Sequence, residues 1–106
     1  MPSRKKRSDR NHVIYEIFNT FNGKSYLGIT ACIGRRVRYS VINRFNKHCS
    51  RAKMEDKQWA LYKDMKKYGK DAYDVYIIEV VRGKANAHQK EVEYLKQFNY
   101  ELNSTY

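Results

Sequence analysis

Glu91 is a carboxylate on the apolar side of a predicted helix. The other residues at the same helical spacing are apolar or aromatic, namely Ala87, Tyr94, Leu95 and Phe98. A carboxylate that faces inward without a partner costs several kcal/mol. The sequence therefore predicts that Glu91 faces a cation, a metal ion or a set of hydrogen-bond donors. The alternative to a metal ligand is a structural salt bridge to a nearby arginine.

Tyr15 and Tyr26 lie in the two strands of a predicted hairpin that turns at Asn22-Gly23. Facing positions of a hairpin share one face, so the two phenols are expected to come together. The pKa of a phenol falls when a cation or a metal ion stabilises the phenolate, which makes the phenolate a usable base near neutral pH. The alternative is that both tyrosines only pack within the sheet.

Arg36 falls in the first turn of the first long predicted helix, which starts at Gly34. The helix dipole disfavours a cation there but favours a bound anion, and the planar guanidinium matches a phosphate. Arg35 and Arg38 are equally basic, so the alternative for Arg36 is an ordinary solvated base. The apolar stripe of this helix consists of Val37, Val41 and Phe45.

The elements that must position these residues follow the order β-β-α-α-β-α, which predicts a small α+β domain. We expect a three-stranded, mainly antiparallel sheet with flanking helices. The continuous apolar run in residues 74–81 predicts a central strand. A second helix is predicted over residues 56–68 and ends before Gly69. Asn86 with Gln89 predicts a capping box at the start of the third helix.

Positive charge is concentrated in two segments of the chain. The 106 residues carry 22 basic and 11 acidic side chains, a net charge of +11. Residues 1–11 predict a basic, flexible arm, and residues 12–106 predict one folded domain. Residues 35–70 hold twelve basic and three acidic side chains, which predicts a one-sided nucleic-acid footprint, with a membrane surface as the lesser alternative. The bases expected to contact the nucleic-acid backbone are Arg35, Arg38, Arg44, Lys47, Arg51 and Lys53.

Several other classes of protein are excluded by composition. No apolar run approaches the roughly 18 residues of a spanning helix, and none follows the basic N-terminus as in a signal peptide. We therefore expect no membrane partner and a cytoplasmic location. Cys32 and Cys49 do not make a disulfide framework, and with three scattered histidines they lack the spacing of a zinc site.

Residues 12–106 resemble the GIY-YIG nuclease family. Five sequence elements occur in the order and at the spacing of that family, with an Asn-Gly turn between the first two. The five are Val13-Ile14-Tyr15, Tyr26-Leu27-Gly28, Arg36 ten positions after Tyr26, the segment that opens at Glu91, and Leu102-Asn103.

The resemblance implies a metal-dependent DNA endonuclease that hydrolyses phosphodiester bonds, by nicking or by double-strand cutting. It implies Mg²⁺ as the cofactor, with Mn²⁺ as a possible substitute, and DNA as the partner of a monomer or homodimer. By analogy, such a nuclease belongs to a phage or mobile element and acts in the cytoplasm of a bacterial or infected host cell. The implied roles are Glu91 as metal ligand, Arg36 on the phosphate, Asn103 completing the site, and Gly28 for close backbone approach. Tyr15 is expected to accept the proton with Tyr26 orienting it, although the sequence leaves open which of the two tyrosines is the base.

The chain departs from the family pattern at a few positions. Val13 replaces the first glycine, and Leu27 replaces an isoleucine. Ser40 stands four positions after Arg36, where many members carry a histidine, and His48 lies three helical turns from Arg36, too far to take that place. Two alternatives therefore stay open, a catalytically degenerate nucleic-acid-binding module on the same fold and a basic structural protein that binds acidic partners.

Overall fold

The computed structural model describes residues 10–55 and 59–103. It confirms an α+β domain with the predicted order of elements. None of the helices in these residues is long and apolar enough to cross a membrane. The elements are β1 Asn11–Asn19, β2 Ser25–Ala31, α1 Val37–Met54, α2 Ala60–Tyr68, a 3₁₀ turn Lys70–Ala72, β3 Tyr73–Arg82 and α3 Lys84–Gln97.

The predicted basic arm lies outside the described residues except for its last two. Asn11, the last residue of the predicted arm, begins β1. The carbonyl of Arg10 accepts hydrogen bonds from the Gly83 amide at 2.9 Å and from the His12 ring at 2.9 Å. These contacts make Arg10 and Asn11 part of the folded domain.

β1 is the central strand of an antiparallel sheet with the order β2-β1-β3. The prediction that the third strand is central is therefore wrong. Val13, Ile14 and Tyr15 are consecutive in β1 and at most 1% exposed, so both faces of this strand are covered. In β3, Tyr76 is 49% and Val80 is 42% exposed. An apolar run shows that a segment prefers burial but not how many neighbouring strands it will have.

The turn between β1 and β2 is longer than a two-residue hairpin at Asn22-Gly23. The last paired residues of the two strands are Phe18 and Ser25. Asn19 organises the loop, because its side-chain oxygen accepts hydrogen bonds from the backbone amides of residues 21 and 22. Gly23 has a φ of 74°, which explains the glycine of the predicted turn signal.

The core lies between the sheet, α1 and α2. Val41 and Phe45 of the predicted α1 stripe are buried, and Val37 is partly buried against the core, as expected. Phe45 contacts the ring of Tyr73 edge-on at 6.2 Å, which joins α1 to β3. Gly69, with a φ of 83°, ends α2 as predicted.

α3 differs from its prediction at both ends. It begins at Lys84 directly after β3, with Gly83 at a φ of 90° in the capping position, so Asn86 is not the N-cap. A glycine that can turn the chain at once from strand to helix overrides the downstream capping signal. In the predicted core stripe Ala87 is fully buried, but Phe98 is 56% exposed. The helical period marks an apolar side and does not say how far the sheet extends beneath it.

Candidate active site

Tyr15 and Tyr26 share one face of the sheet, as predicted. Tyr15 pairs with Gly28 and Tyr26 pairs with Ile17, so the two tyrosines are diagonal neighbours on adjacent strands. Their ring centres are 6.4 Å apart. Tyr15 is 1% exposed, whereas Tyr26 is only partly buried and lines a pocket. The hairpin therefore brings one buried and one accessible phenol together.

Gly28 leaves room for these two rings. A Cβ atom built at Gly28 would lie 2.6 Å from the Cζ and Oη atoms of Tyr15 and 2.8 Å from Cε1 of Tyr26. Such distances are too short for a side chain. The predicted close approach at Gly28 is thus explained by the two tyrosines of the protein itself.

Replacing Gly28 by alanine should therefore displace Tyr15 or Tyr26. We expect the Gly28→Ala protein to lose roughly 1–3 kcal/mol of stability, as is usual for an overpacked core. Urea unfolding of the variant and the wild type measures this loss. Equal unfolding midpoints would show that the rings can move aside freely.

His48 lies in the site beside Tyr15 and Tyr26, although it is too far along the chain from Arg36 to take the position occupied by Ser40. Its Nε2 atom lies 3.0 Å from the hydroxyl of Tyr15, and its ring is 5.4 Å from that of Tyr26. His48 is 5% exposed. The helical period of the sequence indicates that His48 is buried, because it follows Val41 by seven residues and Phe45 by three. These positions share the buried side of α1.

Burial shifts the proton equilibria of this pair. Burial is the main reason that the pKa of Tyr15 is raised, with the nearby Tyr26 adding to the rise and the charge of Arg44 opposing it. In the protein without a bound metal ion, the lowering effect of the nearby cation Arg44 is therefore outweighed by burial. Burial, together with the charges of Arg44 and Arg51, lowers the pKa of His48 to about 4. At neutral pH both members of the pair are uncharged.

The low pKa of His48 should make the folded protein less stable in mild acid. The unfolded chain takes up this proton near pH 6.5, and the folded protein only near pH 4. The unfolded state therefore binds more protons within this window, and the free energy of unfolding falls as the pH drops through it, by about 3 kcal/mol in total. The charged or titratable groups around His48 are Tyr15, Tyr26, Arg44, Arg51 and Tyr62.

Urea unfolding at several pH values between 4 and 7 measures this effect. The His48→Phe variant keeps a ring at the same place and should show a weaker pH dependence than the wild type. The same dependence in both proteins would assign the acid sensitivity to other groups.

Glu91 is partly buried on α3. Its side chain is 16% exposed, and its carboxylate lies 3.4 Å from Nδ1 of His88, whose side chain is 69% exposed. Burial raises the pKa of Glu91, and His88 opposes the rise. The charge of Glu91 also contributes to the raised pKa of Tyr15, so the two side chains interact electrostatically. Within residues 10–55 and 59–103, the basic side chain that pairs with Glu91 is thus an exposed histidine and not the arginine of the structural alternative.

The chemistry of Glu91 fits a magnesium ion. No group of three or more His, Cys, Asp or Glu side chains that could hold a metal occurs within residues 10–55 and 59–103. A single carboxylate suits Mg²⁺, which keeps several waters and takes its other ligands from substrate phosphates. A cation at Glu91 would also stabilise the ionised form that burial disfavours.

Arg36 lies just before α1 and not inside its first turn. Its guanidinium sits 3.8 Å from the centre of the Tyr39 ring and is exposed. The Ser40 hydroxyl donates a hydrogen bond to the Arg36 carbonyl at 2.6 Å and accepts one from the Ile33 amide at 2.7 Å. Ser40, at the position of the family histidine, therefore fixes the backbone turn that carries Arg36.

Asn103 is bound to the backbone of β2. Its side-chain oxygen accepts a hydrogen bond from the Leu27 amide at 2.8 Å, and its side-chain nitrogen donates to the Leu27 carbonyl at 2.9 Å. This pair of bonds holds the strand segment between Tyr26 and Gly28. Asn103 thus positions the site through β2, a role that the sequence did not predict.

The six predicted DNA-contacting bases all lie on α1 or in the turn before it. Arg44 precedes His48 by four residues and Arg51 follows it by three, so both flank His48 on one side of the helix. Both line the same pocket as Tyr26 and His48. The four others are exposed: Arg35, Arg38, Lys47 and Lys53.

No protein-family model, curated protein or solved structure matches this chain. The fold class rests on the structure itself. Membership of the GIY-YIG family stays a prediction from the sequence motifs.

Proposed function

We propose that the protein is a metal-dependent DNA endonuclease of the GIY-YIG type. The observation that carries this proposal is the buried contact between Tyr15 and His48, beside Tyr26 and within the electrostatic influence of Glu91. The hydrogen bond between the buried phenol and the buried imidazole is a direct route for a proton between the two groups. In the proposed reaction, this pair transfers a proton.

In the proposed reaction, Tyr15 accepts a proton from the attacking water while its own proton passes to Nε2 of His48. The hydroxide that forms attacks the phosphorus atom, the bond to the leaving 3′ oxygen breaks, and this oxygen takes a proton from solvent. A metal ion held by Glu91 would supply positive charge at the phosphate. Arg36 neutralises a non-bridging oxygen as charge builds up.

Bound DNA assists the proton transfer. The charges of Arg44 and Arg51 lower the pKa of His48, after the larger effect of burial. Phosphate groups at these arginines offset their charge, so His48 becomes a better proton acceptor when substrate is bound. The basic surface of α1 therefore serves both affinity and chemistry.

Incubation of the protein with supercoiled plasmid, with and without Mg²⁺, tests the proposal. We expect nicked or linear product only with the metal ion, with Mn²⁺ as a substitute. Binding without any cleavage at any divalent metal concentration would contradict it. Nicked and linear products separate on a gel, so the same assay distinguishes single-strand from double-strand cutting.

Arg36→Lys should reduce cleavage far more than binding. Lysine keeps the charge but loses the planar fork that matches a phosphate in the transition state. We expect the cleavage rate on saturating DNA to fall about 10-fold or more, with a change in Kd below about threefold. Arg35→Lys, one residue away and also exposed, is the matched control and should reduce cleavage much less. Equal losses in rate and affinity would make Arg36 an ordinary phosphate contact.

One observation favours a second candidate, a nucleic-acid-binding module that has lost turnover. The pKa of Tyr15 is raised and that of His48 is lowered to about 4, so both lie away from neutral pH in the free protein. Such a module would bind DNA at the same basic surface. In the plasmid assay it would leave the DNA supercoiled with every metal ion.

A further inference from the structure

A small pocket opens beside the Tyr15–His48 pair. It has a volume of about 240 Å³, below the roughly 300–1,000 Å³ of sites for drug-sized ligands. It can therefore take one compact group and not a long ligand. The residues that line it are Tyr26, Arg44, His48, Arg51, Trp59, Leu61, Tyr62, Leu102 and Asn103.

Aromatic rings form much of the pocket wall. Trp59, the residue before α2, is 38% exposed and lies 5.2 Å from the ring of Tyr62. The Tyr62 ring is 6.2 Å from that of His48, which in turn contacts Tyr26. A continuous row of rings thus runs from the pocket mouth to the proposed proton path. Such a row is suited to a flat, aromatic ligand that stacks.

The charge of the pocket favours an anionic ligand. Arg44 and Arg51 are among its lining residues, and none of the lining residues within 10–55 and 59–103 is acidic. This combination of stacking surface and positive charge matches a nucleotide, which carries a flat base on an anionic backbone.

Buried polar atoms that lack a hydrogen-bond partner also indicate a polar ligand for the pocket. Within the described residues, buried side-chain atoms of Arg44, His48 and Tyr62 lack a hydrogen-bond partner, namely Nε, Nδ1 and the hydroxyl. All three residues line this one pocket. Buried polar groups without partners are rare, and three of them in residues that line one pocket are consistent with a ligand that has hydrogen-bonding edges.

We propose that this pocket binds an unpaired nucleobase of the DNA substrate. The base stacks on the partly exposed ring of Trp59, which contacts the buried ring of Tyr62, and its phosphates lie at Arg44 and Arg51. Because His48 belongs both to the pocket and to the pair with Tyr15, the bound nucleotide is next to the scissile bond. A base inside a duplex cannot enter without leaving its stack, so the preferred substrate is DNA with an unpaired nucleotide at the cleavage site. This inference rests on the proposed function and names its substrate class.

Trp59 is the only tryptophan of the chain, so its fluorescence reports directly on the pocket. The test titrates the full chain, without metal, with a single-stranded oligodeoxynucleotide and with an abasic oligomer of the same length. We expect both oligomers to bind, as measured by anisotropy of a labelled strand. Only the one with bases should quench Trp59, and it should do so saturably.

Substitution of Trp59 separates the contribution of stacking to DNA affinity from the contribution of charge. One stacked base contributes about 1–3 kcal/mol, so Trp59→Ala should weaken binding of the single strand by roughly 5-fold to 150-fold. Its affinity for the abasic oligomer should be unchanged. Trp59→Phe keeps a ring and should lie between alanine and the wild type. Phe21→Ala removes an aromatic side chain that is 75% exposed and does not line this pocket, and it should bind like the wild type.

Two results would overturn the inference. One is equal quenching of Trp59 fluorescence by the two oligomers. The other is binding of the single strand that does not quench Trp59 and is not weakened in Trp59→Ala. Metal-dependent plasmid cleavage in the same preparation would then support the proposed function and contradict only the proposed binding of a base in the pocket. Absence of both cleavage and DNA binding would remove the proposed function together with the inference.

Discussion

Glu91→Gln should lower the rate of plasmid cleavage by about 100-fold or more, the loss usual when a group that stabilises transition-state charge is removed. Glutamine keeps the size and helix propensity of glutamate but not the charge that would hold the metal ion. DNA binding should persist, since the proposed phosphate contacts are on α1. Rates on saturating plasmid and Kd in metal-free buffer measure the two effects separately.

The stability of Glu91→Gln distinguishes a loss of catalysis from damage to the fold. Burial raises the pKa of Glu91, so the folded state holds the ionised carboxylate less favourably than the unfolded chain does. A neutral glutamine avoids that cost, and the unfolding midpoint of Glu91→Gln at pH 7 should equal or exceed that of the wild type.

Glu93 provides the matched control for this substitution. It lies two residues away on the same helix with its side chain 54% exposed, and Glu93→Gln should cleave normally. Normal cleavage by Glu91→Gln would assign Glu91 a structural role and remove the metal ligand from the proposal.

Removing either member of the Tyr15–His48 pair should have a comparably large effect. Tyr15→Phe and His48→Phe each delete one polar group and keep a ring, and general base catalysis is typically worth about 10²–10⁴-fold in rate. Because the two groups act on one proton, the double variant should be no slower than the slower single variant. Single-turnover cleavage rates of the three variants and the wild type test this.

The comparison of the double variant with the two single variants shows whether Tyr15 and His48 act together. Losses that multiply in the double variant would mean that Tyr15 and His48 act independently, and normal cleavage by His48→Phe would reduce the contact to packing. The wild-type rate should also depend on pH through His48, and this dependence should disappear in His48→Phe. Arrested turnover with a native-like unfolding transition would exclude misfolding as the cause.

Local patterns in the sequence predicted much of the framework. The order of elements, the shared face of Tyr15 and Tyr26, the end of α2 at Gly69 and the concentration of basic residues on α1 each depend on neighbours close along the chain. Strand alternation, helical period and glycine conformation are short-range constraints, so they can be recognised without knowing the fold.

Other features of the site depend on residues far apart in the sequence. Tyr15 and His48 are 33 positions apart, and Asn103 is 76 from Leu27. Whether such pairs meet is determined by the packing of α1 on the sheet and by the closure of the chain along β2. A periodic pattern shows which side of α1 is buried, but not which tyrosine it will face.

The sequence by itself determined the elements, the charge and the candidate chemical groups of this protein. Only the tertiary structure decided that β1 is the central strand, that His48 binds Tyr15 and that Asn103 holds β2. It also decided the direction of the pKa shifts of Tyr15 and His48. The physical reason is that strand order, desolvation and charge proximity are properties of packed surroundings, which the local sequence does not contain.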